Sequence, residues 1–140
     1  MKRKNLIILV CLLIIAATYQ FEQQSIYTVT AYCPCKLCIN KRAFRDGKFA
    51  SNAETYWGGA AAQRGIPFKT RIRLVPLNPM DSAAINKYFH NRYDFTIEDR
   101  GFLIRDKRID IFIPPEMGGH KAALKWGSRQ LRIVFLPTQP

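Results

Sequence analysis

Acidic residues are scarce in this sequence: 10 Asp and Glu stand against 22 Lys and Arg, for a formal charge of +12 over 140 residues. With so few carboxylates, any that interrupts an apolar run stands out. Histidine is scarcer still, at two, and both read as surface residues before they read as ligands. A Gly-rich phosphate loop and a nucleophile elbow are both absent, which argues against the usual nucleotide-binding and serine-hydrolase routes. Internal repeats are also missing, so a solenoid or propeller is excluded. Only one long hydrophobic run exists, and it lies at the very start.

That run, Leu6 to Ala17, follows Lys2-Arg3-Lys4. A basic head and an apolar stretch shorter than the ~20 residues of a spanning helix have the form of an export leader. Residues 1–18 are therefore expected to be a signal peptide or an N-terminal membrane anchor. Residues 19–27 would be a linker running into the first strand, 28–136 the folded domain and 137–140 a tail. No clean A-x-A cleavage site follows, so an anchor through residues 5–18 stands beside a cleaved leader. Val10 before Cys11 argues against lipidation. The domain is expected across the cytoplasmic membrane, in the periplasm, in the cell envelope or secreted. Without Lys2, Arg3 and Lys4 the charge is still +9. Inside a cell such a balance would suggest nucleic acid. An exported chain with no basic helix and no RNA-binding aromatic motif points instead to anionic cell-wall polymers or a membrane surface. The oligomeric state is left open.

Three of the four cysteines, Cys33, Cys35 and Cys38, fall within six residues, Cys33-Pro34-Cys35-Lys36-Leu37-Cys38. An odd number beyond the leader forbids complete internal pairing. A local structural disulfide, Cys33–Cys38 or Cys35–Cys38, is the first expectation. The second is zinc on the three thiolates, with His90, His120 or a carboxylate as fourth ligand. Thioredoxin-type redox chemistry comes last, because Ile39-Asn40-Lys41-Arg42 shows little sign of the helix start it needs. No other cofactor is expected.

Two carboxylates, Asp99 and Asp110, each break a run that otherwise reads as a buried strand. Tyr93, Phe95 and Ile97 alternate toward Asp99, placing it where a core side chain belongs. Asp110 sits in Ile109-Asp110-Ile111-Phe112-Ile113, apolar on both faces apart from itself. Burying an unpaired carboxylate costs several kcal/mol, so such groups are paired, hydrogen-bonded or set at a cleft. Desolvation raises a carboxyl pKa, as a general acid near neutrality requires. The plainer alternative is that Asp99 ends a strand in turn hydrogen bonds and Asp110 pairs with Arg100 or Arg108.

The remaining pattern is of short elements. Strands are expected over Ser25–Cys33, Thr70–Leu77, Tyr93–Asp99, Arg108–Ile113 and Arg129–Leu136. Helices are expected over Ser82–Phe89, started by Asn78-Pro79-Met80-Asp81, and over His120–Trp126, stopped by Gly127 in the left-handed conformation. Residues 34–65 show little periodicity, and a loop of that length is either functional or hides short elements. Several strands with few short helices indicate a small, mainly β barrel.

Asp99-Arg100-Gly101-Phe102-Leu103-Ile104-Arg105-Asp106-Lys107-Arg108-Ile109-Asp110 resembles the D-x-G-G-x-I-x-G-x-x-I-D signature of the 3D (three-aspartate) domain family. Thr30-Ala31-Tyr32-Cys33-Pro34-Cys35 is similar to the opening strand of its cysteine-bearing branch. Ile66-Pro67-Phe68-Lys69-Thr70 resembles its I-P-x-G-T turn. Ala122 to Gly127 and Leu131 to Val134 resemble its closing helix and strand. The chain departs from the pattern at Phe102 and Asp106, where the family has glycine. It departs again near Gln63 and Arg64, where the family has its first aspartate. The resemblance implies a six-stranded double-psi β-barrel with one or two short helices, as in membrane-bound lytic transglycosylase A and the stationary-phase survival proteins. It implies cleavage of peptidoglycan between N-acetylmuramic acid and N-acetylglucosamine in cell-wall turnover. Asp110 falls at the catalytic aspartate and Asp99 at the supporting one, with Thr30, Tyr32, Arg100 and Gly101 on the substrate side. The alternative is a glycan-binding barrel that has lost cleavage. Phe102 would narrow the groove or stack on a sugar ring, and Trp57 would do likewise, although Trp57 reads first as loop packing.

Overall fold

The computed structural model describes residues 7–15, 26–39 and 47–137. The basic head of the leader, most of the linker and the last residues of the tail lie outside them. Residues 7–15 form a helix, α1, with exposed apolar side chains, and among the described residues no helix is long and apolar enough to cross a membrane.

Six strands close into a barrel: β1 (Ile26–Tyr32), β2 (Gly59–Ala62), β3 (Arg71–Val75), β4 (Asp94–Asp99), β5 (Arg108–Phe112) and β6 (Arg129–Phe135). Round the barrel they run β1-β5-β2-β4-β3-β6. β1 with β5 and β2 with β4 are parallel, and every other pair is antiparallel. These two crossed parallel pairs give the double-psi connectivity that the resemblance implies. Closure leaves no unpaired sheet edge. Five of the strands coincide with the expected ones to within two residues at each end. The sixth, β2, is Gly-Ala-Ala-Ala inside the segment read as loop. Such residues have weak strand propensity, and β2 exists because both its flanks are paired and all four residues are buried. Gly59 is required there: a Cβ would collide with the Phe49 ring.

Val29, Ala60, Ala62, Ile72, Ile97, Ile109, Ile111 and Ile133 fill the barrel interior. The helices α2 (Pro79–Tyr88) and α3 (Gly119–Trp126) pack Ala84, Ile85, Ala123 and Trp126 against the same core. Asn78 caps α2 by accepting from the Asp81 N–H at 3.0 Å, and Pro79 takes the first turn, where no amide donor is needed. α3 is preceded by a single 3-10 turn, Pro115–Met117. It ends at Gly127, whose φ of 68° is positive as expected, but whose ψ of −127° lies outside the left-handed helical region. Trp126 binds α3 to the barrel. It is 2% exposed, stacks at 4.2 Å on Phe89, and donates its indole N–H to the Val29 carbonyl at 3.0 Å. Trp57 packs against Phe89 and Phe95, as its reading as loop packing anticipated. Replacing Trp126 with Ala is expected to lower the unfolding free energy by about 3–5 kcal/mol, measured by urea denaturation.

Candidate active site

In a sheet, in-register neighbours point to the same face. Thr30 of β1 lies opposite Asp110 of β5, Asp110 opposite Ala61 of β2, and Ala61 opposite Asp99 of β4. Four adjacent strands thus carry one row, Thr30–Asp110–Ala61–Asp99, on the outer face of the barrel. Asp110 reaches that face by alternation, since Ile109 and Ile111 on either side point inward. Asp99 does not. By alternation from Phe95 and Ile97 it belongs inside, as the sequence reading placed it. The register shifts between Ala60 and Ala61, which pair with Ile97 and Asp99, so Glu98 is an extra residue in β4. This β-bulge turns Asp99 outward to meet Asp110.

The displaced Glu98 is 2% exposed and fully partnered. It accepts from Ser51 Oγ at 2.6 Å, Lys69 Nζ at 2.7 Å and Tyr56 OH at 3.1 Å. Burial pushes its pKa up, but these three donors outweigh burial and hold the carboxyl below its usual range. Glu98 thereby clamps the loop over 49–56, which in turn supplies the Ala50 N–H to Asp99 Oδ1 at 3.1 Å. Asp99 also accepts from the Tyr32 hydroxyl at 2.6 Å and from the Arg100 N–H at 2.9 Å. The turn hydrogen bonds expected of a strand-ending Asp99 are therefore present, together with a side-chain partner from β1. The Tyr32 phenol is held well above its ordinary pKa, first by burial and then by the neighbouring Asp99.

Asp110 is different. Its only hydrogen bond among the described residues is from Thr30 Oγ1 at 2.9 Å. The ion pairs among the described residues involve Glu98, Asp94 and Asp81, so the pairing of Asp110 with Arg100 or Arg108 is not formed. Beneath the row lies a second apolar cluster, Tyr32, Phe49, Ala61, Ile104 and Phe112, which keeps water from its underside. Burial raises the Asp110 pKa to about 6; the Thr30 hydroxyl and the Arg108 charge pull it down, and Asp99 adds a small upward push.

Asp110, Ala61 and Asp99 of the row floor a cleft of about 440 Å³, a volume usual for small-ligand sites, with Tyr32, Cys38 and Ile39 on one side and residues 100–104 on the other; Thr30 is not in its lining and bears on it through Asp110. At its lip Phe102 and Leu103 are 84% and 71% exposed. Where the signature has glycine, Phe102 thus presents a ring to solvent beside the acids. Arg100 lines the cleft, yet its guanidinium turns away to the carbonyls of Ala62, Asp99 and Ile66 and stacks 4.0 Å from the Phe68 ring. Its side chain buttresses the wall. Gly101 is tightly approached, since a Cβ would stand 2.6 Å from Ile104. Gln63 and Arg64 line a neighbouring depression with Arg105 and Asp106.

The cysteines adjoin this cleft. Cys33, Cys35 and Cys38 are free thiols, so the expected local disulfide is not formed; Cys33 and Cys38 Sγ lie 3.5 Å apart. His120, read from sequence as a surface residue, sits among them, whereas His90 lines a separate depression with Trp57 and Arg73. His120 was one of the fourth ligands weighed for zinc; Ala61 and Glu98 are residues that the sequence reading did not assign. Only the adjacency of Glu98 to Asp99 could have signalled either.

No family model and no curated protein matches the chain. Solved structures do. The crystal structure of MltA from E. coli is 28% identical over 70% of this chain, with a TM-score of 0.45. E. coli MltA with bound chitohexaose is 28% identical over 71%, with a TM-score of 0.46. A further MltA structure, described as a unique lytic transglycosylase fold, is 29% identical over 71%, with a TM-score of 0.45. This chain spans only 29–30% of the length of those chains.

The raised Asp110 pKa has a consequence for stability. From about pH 4, where the unfolded carboxyl ionises, to about pH 6, the folded chain keeps a proton that the unfolded chain has lost, so stability falls as pH rises. Asp110→Asn is expected to raise the unfolding free energy by about 2–3 kcal/mol at pH 7, the gain vanishing near pH 4. Urea unfolding at the two pH values measures it.

Proposed function

We propose that the chain is an exported lytic transglycosylase that cleaves the glycosidic bond between N-acetylmuramic acid and N-acetylglucosamine in peptidoglycan. The observation that carries this reading is Asp110, desolvated and, among the described residues, without an ion-pair partner at the floor of an open cleft, with Asp99 one strand beyond Ala61. The 3D-domain signature that ends on Asp110 supports the choice of substrate, and the export leader supports its location at the cell wall.

An ordinary glycoside hydrolase needs two carboxyls, one as acid and one as nucleophile or base. Asp99 is poorly suited to the second task, because its oxygens are engaged by Tyr32, Ala50 and Arg100. A transglycosylase needs only one carboxyl. Protonated Asp110 gives its proton to the glycosidic oxygen as the bond to the anomeric carbon breaks. The C6 hydroxyl of the same sugar then attacks that carbon and returns its proton to the Asp110 carboxylate. A 1,6-anhydro end forms, no water is consumed and the acid is restored. Thr30 orients the carboxyl, and burial, with a small push from Asp99, keeps its pKa up. Phe102 offers an exposed ring on which a sugar can stack.

The second reading, a glycan-binding barrel without cleavage, is favoured by one observation: Ala60 to Arg64 supply no third carboxyl. Full-length protein incubated with peptidoglycan separates the two. Mass spectrometry is expected to find 1,6-anhydromuropeptides; reducing-end products would mean a hydrolase, and retention without products a binder. Asp110→Asn should lower the rate by about 10²–10⁴-fold while the barrel stays folded. Activity should fall as pH rises above about 6, where the acid loses its proton. Asp99→Asn should move that limb to lower pH.

A further inference from the structure

We infer that Cys33, Cys35, Cys38 and His120 form a four-coordinate structural zinc site that fixes one wall of the cleft. The four donor atoms all lie within 4.8 Å of one another. His120 Nδ1 is 3.2 Å from Cys38 Sγ and 3.5 Å from Cys35 Sγ, and Cys33 and Cys38 Sγ are 3.5 Å apart. Tetrahedral zinc, with bonds of about 2.3 Å to sulfur and 2.0–2.1 Å to nitrogen, spaces its ligands at roughly 3.5–3.8 Å. The side chains already stand near that spacing.

The chemistry fits too. Three thiols and one imidazole are the Cys₃His set of closed structural zinc sites, and soft thiolate donors in a tetrahedral arrangement favour zinc over oxygen-preferring cations. A disulfide can use only two of the three sulfurs and leaves the imidazole without a role; a metal uses all four groups.

The backbone is arranged to deliver them. Cys35 and Cys38 sit on one tight turn, in which the Cys38 and Ile39 N–H groups both donate to the Cys35 carbonyl at 3.1 and 3.0 Å. The fourth donor comes from 82 residues further along the chain. It is brought in by Gly118 and Gly119, with φ of +100° and +46°, values that strain any residue with a Cβ. Gly119 also passes close to Cys33, as a Cβ there would lie 4.0 Å from the Cys33 Cβ.

The site therefore bridges the end of β1 to the start of α3. Cys33 directly follows Tyr32, whose hydroxyl holds Asp99, and Cys38 and Ile39 line the cleft. With four protein ligands there is no open position for water, so the role is to hold the wall. This inference does not depend on the reaction proposed for Asp110.

Full-length protein, purified under reducing conditions from cells supplied with zinc, is expected to carry one zinc per chain by elemental analysis. Cobalt exchanged for it should give sulfur-to-cobalt charge-transfer absorption and the intense visible bands of a tetrahedral ion. Cys35→Ser and His120→Ala should lose both signals while far-ultraviolet circular dichroism still reports the barrel, and His90→Ala should keep them. Chelation should lower the thermal midpoint of the parent and leave that of His120→Ala unmoved. Reduced, folded parent protein that holds no zinc and gives only the weak spectrum of octahedral cobalt would overturn the assignment. So would zinc content that His90→Ala removes and His120→Ala does not.

Discussion

Keeping a carboxyl dry on the outer face of a barrel is harder than burying it within one, and the architecture round the cleft follows from that constraint. The interior is already filled by Val, Ile and Ala. A second apolar layer, built from Tyr32, Phe49, Ile104 and Phe112, covers the opposite face of the same strands and forms the underside of the cleft. Edge-to-face contacts tie it together, Phe49 to Phe112 at 5.1 Å and Tyr32 to Phe112 at 5.5 Å. Barrel closure supplies the remainder: the two parallel pairs bring β5 between β1 and β2, so that Asp110 has a strand on both sides. Its burial then dominates its pKa, ahead of every charge nearby.

Ala61 matters through what it lacks. It occupies the row between the two acids, where a longer side chain would fill the floor of the cleft or bridge the carboxyls. The methyl group leaves Asp110 facing open space on one side and apolar surface beneath. That combination raises a carboxyl pKa without neutralising the group through a cation, so the proton is retained and can still be transferred. Glu98 illustrates the opposite solution within one residue of Asp99. It is buried at 2% exposure, but three donors meet it, and its pKa goes down. Adjacent carboxyls in one strand are thus assigned different tasks by their partners.

Most of the barrel was legible because its strands are rich in β-branched and aromatic residues, and five of them announce themselves. β2 did not, because Gly-Ala-Ala-Ala carries no strand signal of its own; its conformation is imposed by neighbours distant in sequence. Asp99 and Asp110 were visible as polar interruptions of apolar runs, but the route by which Asp99 reaches the cleft was not. Alternation put it inside, and only the register against β2 shows the bulge. Arg100 looked like a substrate ligand from its place in the signature, whereas its guanidinium satisfies the carbonyls of Ala62, Asp99 and Ile66. His120 stood in the sequence as one of three candidate fourth ligands beside His90 and a carboxylate; nothing there singles it out, because the cysteines lie more than 80 residues away and the pair of glycines that aims it acts through backbone angles.

The two walls of the cleft are held by polar chemistry, and the size of the barrel explains why. Four- to seven-residue strands wrapped round one core leave little apolar surface with which to fasten loops on the outside. On one side the segment over 100–104 is fastened by Ile104 and by the Arg100 guanidinium on the carbonyls of Ala62, Asp99 and Ile66; on the other, the segment after Tyr32 has Pro34, Lys36 and Leu37 exposed or half-exposed and few apolar anchors. A turn of that composition is poorly held by packing alone. A zinc ion held by Cys33, Cys35, Cys38 and His120, as inferred above, would put coordinate bonds where the hydrophobic fastening is weakest. The wall it would secure carries Tyr32, and through Tyr32 the position of Asp99. The stiffness of the acid pair therefore rests on anchors that lie outside the row itself.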